Sequence, residues 1–150
     1  MAAGLKSSGS KDVAVVVNDG PLASAAGVFT RNRVKAAPVL WSQQVLTAGA
    51  LRAVALNSGG ANCYTGAEGF QTTHAVAERA AEHLGIGAID VVVCSTGLIG
   101  ERLPLPLILS GIERANAELS AEGGPAAAAA IIGAVGALTM KQPGEDHTSS

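Results

Sequence analysis

Aromatic residues are scarce: two Phe, one Tyr and one Trp among 150 residues, or 3% of the chain. A protein so short of rings has no platform on which nucleic-acid bases could stack. Charge is scarce as well, at 15%, and the two signs nearly cancel to a formal −2 with a pI near 5.9. No basic footprint for nucleic acid remains. Two cysteines, Cys63 and Cys94, with no Cys-x-x-Cys spacing, exclude a disulfide framework and a thiol-rich metal site. The first residues place Lys6 and Lys11 among Ser and Gly with no long apolar run behind them, so a secretory leader is not expected and a cytoplasmic location is. The uncharged stretch from Gly123 to Met140 is mostly Ala and Gly and falls short of the ~20 strongly apolar residues that a membrane span needs. No membrane partner is expected.

What is present is aliphatic. Hydrophobic residues make up 48% of the chain and Gly contributes 19 positions, so the core must be built from Ala, Val, Leu and Ile with close backbone approaches. The length suits one domain with a sizeable core, and disorder over most of the chain is excluded. The expected fold class is a layered α/β domain.

Val13 to Val17 is a β-branched run closed by Asn18-Asp19-Gly20-Pro21, a strand and a turn. Ala25 to Thr30 reads as a second strand, close enough to pair antiparallel with the first. Arg31, Arg33 and Lys35 then mark a solvated surface. Pro38 to Trp41 reads as extended, with Ser42 as the N-cap of a short helix ending near Gly49. Arg52 to Asn57 is apolar on both faces and fits a central strand. Ser58 to Asn62 is too rich in Gly and Asn to be regular, and Thr65-Gly66 opens a helix. Its face carries Phe70, His74, Ala77, Ala81 and Leu84, and Gly85 and Gly87 end it. Ile89 to Cys94 is the fourth strand and Ser95 to Gly100 its exit loop. Pro104 and Pro106 fit the first turn of a further helix, with Leu105, Leu109, Ile112 and Leu119 as its buried stripe. The stretch from Gln142 to Ser150 is a polar tail with nothing to bury.

Two loops follow fully apolar strands, the place where open α/β sheets bind ligands. In Asn57–Asn62 and Ser95–Gly100, small residues let a ligand approach backbone N–H groups, and Asn57, Asn62, Ser95 and Thr96 can add donors. Such a cluster is what an oxyanion hole requires. A tight turn is the commoner reason for Gly-rich sequence there. Neither a dinucleotide fingerprint nor a Walker-type Gly-Lys-Ser/Thr is present, although strand–Gly loop–helix units keep a generic nucleotide-binding alternative open. His74, His83 and His147 have no metal spacing, and no cofactor or metal is expected. Cys94 ends a strand with no histidine evidently placed to activate it.

Four segments in order carry a resemblance: Gly27-Val28-Phe29-Thr30-Arg31-Asn32, Ala36-Ala37-Pro38-Val39-Leu40-Trp41, Asn57-Ser58-Gly59-Gly60-Ala61-Asn62 with Thr65-Gly66, and Cys94-Ser95-Thr96-Gly97-Leu98-Ile99-Gly100. Together they resemble the α-chain region of the ornithine acetyltransferases, the bifunctional glutamate N-acetyltransferases of arginine biosynthesis. The resemblance divides the chain into an α-chain-like acyltransferase region, 1–131, and a divergent tail, 132–150. It implies the N-terminal half of that fold and a ping-pong transfer of acetyl from N-acetylornithine to glutamate, with acetyl-CoA a donor in some members. Family precursors cut themselves, and the new N-terminal threonine of the β chain is the nucleophile. The intact assembly has two α and two β chains. The oxyanion hole is a threonine hydroxyl and a glycine N–H, which correspond to Thr96 and Gly97. Where the family continues Ala-Ile-Met-Thr-Thr-Asp, this chain reads Ala130-Ile131-Ile132-Gly133-Ala134, and neither Thr139 nor Thr148 has the nucleophile's surroundings. The resemblance thus implies an incomplete or frame-disrupted copy or a partial sequence, inactive alone. The alternative is a non-catalytic remnant or half-domain that needs a partner chain.

Overall fold

The structure, a computed structural model, describes residues 1–139, with side chains as far as residue 132. The polar tail, His147, Thr148 and most of the expected 132–150 division lie outside the described residues. Three strands form the sheet: β1 (Val13–Val17), β2 (Ala53–Gly60) and β3 (Val91–Leu98), in the order β1-β2-β3. Four helices accompany them: α1 (Ala37–Val45), α2 (Gly66–Leu84), α3 (Leu105–Ala117) and α4 (Gly124–Thr139).

The apolar run Arg52–Asn57 does supply the central strand. It pairs antiparallel with β1, Val13 opposite Asn57 and Val17 opposite Ala53, and parallel with β3, Ala53 opposite Val91 and Gly60 opposite Leu98. Parallel neighbours need a crossover, and α2 provides it. Helix α2 begins after Thr65 with the acidic Glu68 in its first turn, where the helix dipole favours it. It ends on Gly85 in the left-handed conformation, with the Ile86 N–H bonded back to the Ala81 carbonyl.

Several sequence expectations are corrected. Ala25–Thr30 is not a strand. Val28 is 99% exposed, and an isolated bridge between Ser24 and Ala50 is the nearest regular pairing. The partner of β1 is β2, because an Ala/Val strand buries β1 and the short segment at Val28 does not. Pro38–Trp41 is helical: proline suits the first turn of a helix as well as an extended segment, and Pro38 lies there. Ser42 therefore lies inside α1 instead of capping it. Its hydroxyl donates to the Val93 carbonyl at 2.9 Å, beside a 2.9 Å bond from the Trp41 indole N–H to the Val91 carbonyl. These two bonds dock α1 along the outer edge of β3. Leu119 lies beyond α3 and is exposed, whereas Ile108, Gly111 and Ile112 are that helix's buried residues.

Paired residues of neighbouring strands share a face of the sheet. Val13, Ala53, Ala55, Val91 and Val93 share one, fully buried, beneath α1, α2 and α3. Ala14, Val16, Val54, Leu56, Ser58, Cys94 and Thr96 share the other, which α4 crosses over β1 and β2. The chain before β1 is tied down by Asp12, a fully buried carboxylate that accepts backbone N–H bonds from Ala3, Gly4, Leu5 and Lys6. A buried charge survives only with such partners.

Candidate functional site

The two Gly-rich segments read as loops are strand instead. Ser58, Gly59 and Gly60 continue β2, and Ser95 to Leu98 continue β3, paired with each other. The reason is steric. Gly97, at φ +133°, lies opposite Gly59, and a Cβ placed on it would come within 2.7 Å of the Gly59 carbonyl carbon and the Gly60 nitrogen. Only glycine lets the two backbones approach so closely.

The polar side chains of these segments have separated fates. The Ser95 hydroxyl donates to Asn57 Oδ1 at 2.6 Å, and the Asn57 amide donates onward to the Gly60 carbonyl. Asn62, 1% exposed, donates to the Gly69 carbonyl at 2.8 Å and to Thr73 Oγ1 at 2.9 Å, while Thr65 Oγ1 donates to Asn62 Oδ1 at 2.7 Å. Asn57, Asn62 and Ser95, expected to be ligand donors, are thus committed to internal bonds. Asn62 fixes the entry to α2, which also explains Gly69, where a Cβ would collide with Thr65 Oγ1.

Thr96 is different. It is half-buried, stands opposite Ser58, and its hydroxyl has no hydrogen-bond partner among the described residues. Gly97 follows on the outer edge of β3. The carbonyls of Val91 and Val93 point outward to α1, and the Leu98 carbonyl points inward to the Ala61 N–H. Backbone groups alternate along a strand, so the N–H of Gly97 points outward, away from β2. Thr96 and Gly97, neighbours in sequence, thus lie where the outer edge of β3 has no strand partner among the described residues.

Cys94 shares the Thr96 face and is surface-accessible, yet neighbouring protein atoms push its thiol pKa up, which keeps it protonated at neutral pH. Among the described residues no group of three His, Cys, Asp or Glu could hold a metal ion. His74 stands edge-on to Trp41 with ring centroids 4.9 Å apart and its Nδ1 3.4 Å from Glu78, and His83 Nδ1 lies 3.0 Å from the Arg79 carbonyl. Both histidines belong to α2, on the covered side of the sheet, and neither stands with Thr96 or Cys94. A groove of about 630 Å³ runs along β1 and the α3–α4 connection, lined by residues such as Met1, Val16, Glu118 and Ala127, and includes neither Thr96 nor Gly97. Sequence reasoning passed over Ser58, whose only cue was its place in the Gly-rich segment. It also passed over Tyr64, held at φ +61° after Asn62 at φ +49°. Among the described residues no helix is long and apolar enough to cross a membrane.

Comparison with known proteins gives a consistent picture. The sequence matches the ArgJ family over residues 1–136. It is 63% identical over 131 residues to the arginine biosynthesis bifunctional protein ArgJ of Streptomyces coelicolor, covering 87% of this chain and 34% of that protein. The corresponding protein of Thermobifida fusca is 60% identical over 131 residues, with the same coverage. The chain thus spans about a third of the length of the curated relatives it matches. Among solved structures, ornithine acetyltransferase from Mycobacterium tuberculosis, complexed with ornithine, superposes with a TM-score of 0.85 at 58% identity, covering 87% of this chain and 72% of that one. The arginine biosynthesis bifunctional protein of Bacillus halodurans superposes with a TM-score of 0.72 at 37% identity, covering 76% and 59%.

Proposed function

This chain belongs to the ArgJ family of arginine biosynthesis, and from that premise we propose that it supplies the oxyanion hole of an acetyltransferase. The reaction is acetyl transfer from N-acetylornithine to glutamate, with acetyl-CoA as an alternative donor to glutamate. The observation that carries the assignment is the pair of adjacent donors, the unpartnered Thr96 hydroxyl and the outward Gly97 N–H. The ornithine bound in the M. tuberculosis relative supports an ornithine-type substrate.

The chemistry follows from where charge appears. A nucleophile attacks the acetyl carbonyl, the C=O π pair moves onto oxygen, and a tetrahedral oxyanion forms. Donors already aimed at that oxygen stabilise it without reorganising at the moment of reaction. Collapse of the oxyanion breaks the C–N bond; the ornithine amine leaves with the proton that the attacking hydroxyl gave up, acetyl stays on the nucleophile as an ester, and attack by the glutamate amine reverses the sequence. The nucleophile is a threonine at the start of a β chain, released by self-cleavage of a precursor, in a cytoplasmic assembly of two α and two β chains.

A second reading, a half-domain whose role is to bind a partner chain, is favoured by the incompletely covered sheet face, where Val16 is 48% exposed and Cys94 is exposed. The two readings separate in one experiment. The chain is paired with the downstream part of a close relative and single-turnover acetylation is measured. The 150-residue chain alone should transfer no acetyl, and the pair should. Thr96→Ala should lower the pair's rate by ~10²–10³, the usual cost of one oxyanion donor, and Thr96→Ser much less. Equal rates for wild type and Thr96→Ala would leave only the binding role.

A further inference from the structure

We infer that Ser58 is a positioning residue, which holds helix α4 in register with Thr96; the inference rests on the reading of Thr96 as an oxyanion donor. Ser58 is completely buried, and its hydroxyl donates to the Ala130 carbonyl of α4 at 2.6 Å, across 72 positions of sequence. Its backbone N–H donates to the Asp12 carbonyl at 2.7 Å, which fixes its place in β2. Its partner in the parallel register of β3 is Thr96. One residue therefore ties together the entry to β1, the strand beside Thr96, and the helix that crosses the Thr96 face.

Two features make this more than a packing contact. First, α4 is mostly Ala and Gly, and Ala130 is its buried residue among those whose side chains are described. Small smooth side chains slide and rotate easily against a sheet, so one hydrogen bond to a helix carbonyl sets register that packing leaves loose. Second, α4 crosses the face that carries Thr96 and approaches all three strands there. A downstream chain that docks on that face meets α4 beside Thr96. Oxyanion donors work only when the attacked carbonyl is held within about half an ångström of its productive position. Ser58 thus sets the geometry between the donor strand and the downstream chain without itself touching substrate.

The test is a double-mutant cycle in the 150-residue chain paired with the downstream region of the Streptomyces coelicolor relative. Ser58→Ala should slow single-turnover acetylation by about tenfold or more while KM stays within about twofold. In a Thr96→Ala background the same change should cost little, because the two residues act through one geometry. Multiplying losses, or a wild-type rate for Ser58→Ala, would overturn the role. Should Ser58→Ala fail to fold, Ser58→Cys keeps the volume with a weaker donor and should fall between the two. Amide exchange in the 150-residue chain is a second readout independent of activity. Removing the hydroxyl should accelerate exchange along α4 and at Thr96, and unchanged exchange at both places would sink the inference. If Thr96→Ala leaves the rate untouched while the exchange result holds, the oxyanion reading has failed and the tie between Ser58 and α4 has not.

Discussion

The two faces of the sheet are built from similar aliphatic side chains and finish differently. On one, Val13, Ala55 and Val91 are fully buried, with Ala53 and Val93 almost so, beneath three helices that bring Trp41, Val76, Ala77, Ala80, Ile108 and Ile112. On the other, a single Ala-rich helix covers Ala14 and Ser58, while Val16 and Cys94 stay open and Leu56 and Thr96 half-open. The first face is a closed core whose stability comes from its own elements. The second holds the unpartnered Thr96 hydroxyl, so openness and the candidate chemistry coincide. A domain that closed both faces would be more stable and would have no room for substrate or partner.

The sharpest way to break this comparison is to cut into the closed face. Ile108→Ala, at a completely buried position of α3, should destabilise the chain by about 2–5 kcal/mol through lost burial and a cavity, read as a shift of the urea midpoint. A smaller effect is expected where that face is stitched to the edge of β3. Trp41→Phe removes the indole donor to the Val91 carbonyl and leaves a buried acceptor without its partner, at a cost of about 1–3 kcal/mol. The same unfolding measurement checks it. On the open face Val16→Thr should stay within about 0.5 kcal/mol, as for surface positions generally. A loss comparable to Ile108→Ala would mean that both faces carry the core.

Cys94 reports on the open face by chemistry. Its raised pKa means that the reactive thiolate becomes appreciable only above the pH at which an ordinary cysteine ionises. Alkylation of a Cys63→Ser variant should therefore be slow at neutral pH and climb later than for a free thiol. The sign for stability is the same: the folded state disfavours the thiolate, so a small part of stability, full below the unfolded thiol's pKa, is lost as pH rises from there through the raised pKa of the folded state. Adding the downstream part of a relative should protect Cys94 from alkylation. Unchanged labelling in an active pair would show that the partner covers another surface.

Much of the scaffold was legible in local sequence. Val13–Val17 and the apolar run ending at Asn57 carry β-branched and small apolar side chains that fit a buried sheet. The stop at Gly85 and the prolines at the start of α3 mark boundaries that backbone geometry alone sets. The pairing of β1 was not legible, since a nearby run at Val28 and a distant one at Ala55 look alike until burial chooses between them. Nor was α1, because Pro38 fits both an extended chain and a helix's first turn, and only docking of Trp41 and Ser42 onto β3 selects the helix.

The candidate site divides in the same way. Its location at Thr96 and Gly97 could be proposed from an ordered set of motifs, because residue identity carries donor chemistry. Which polar groups stay free is a long-range matter. Ser95 meets Asn57 across 38 positions and Ser58 meets Ala130 across 72, and both hydroxyls are consumed inside the fold. Thr96, one residue from Ser95, has no such partner among the described residues. Composition and local pattern thus determined β1, the apolar parts of β2 and β3, the glycine stop of α2 and the small-residue core. Tertiary pairing decided that the Gly-rich stretches are strand, which face stays open and which hydroxyl remains available, because each depends on groups that meet only when distant segments share one sheet.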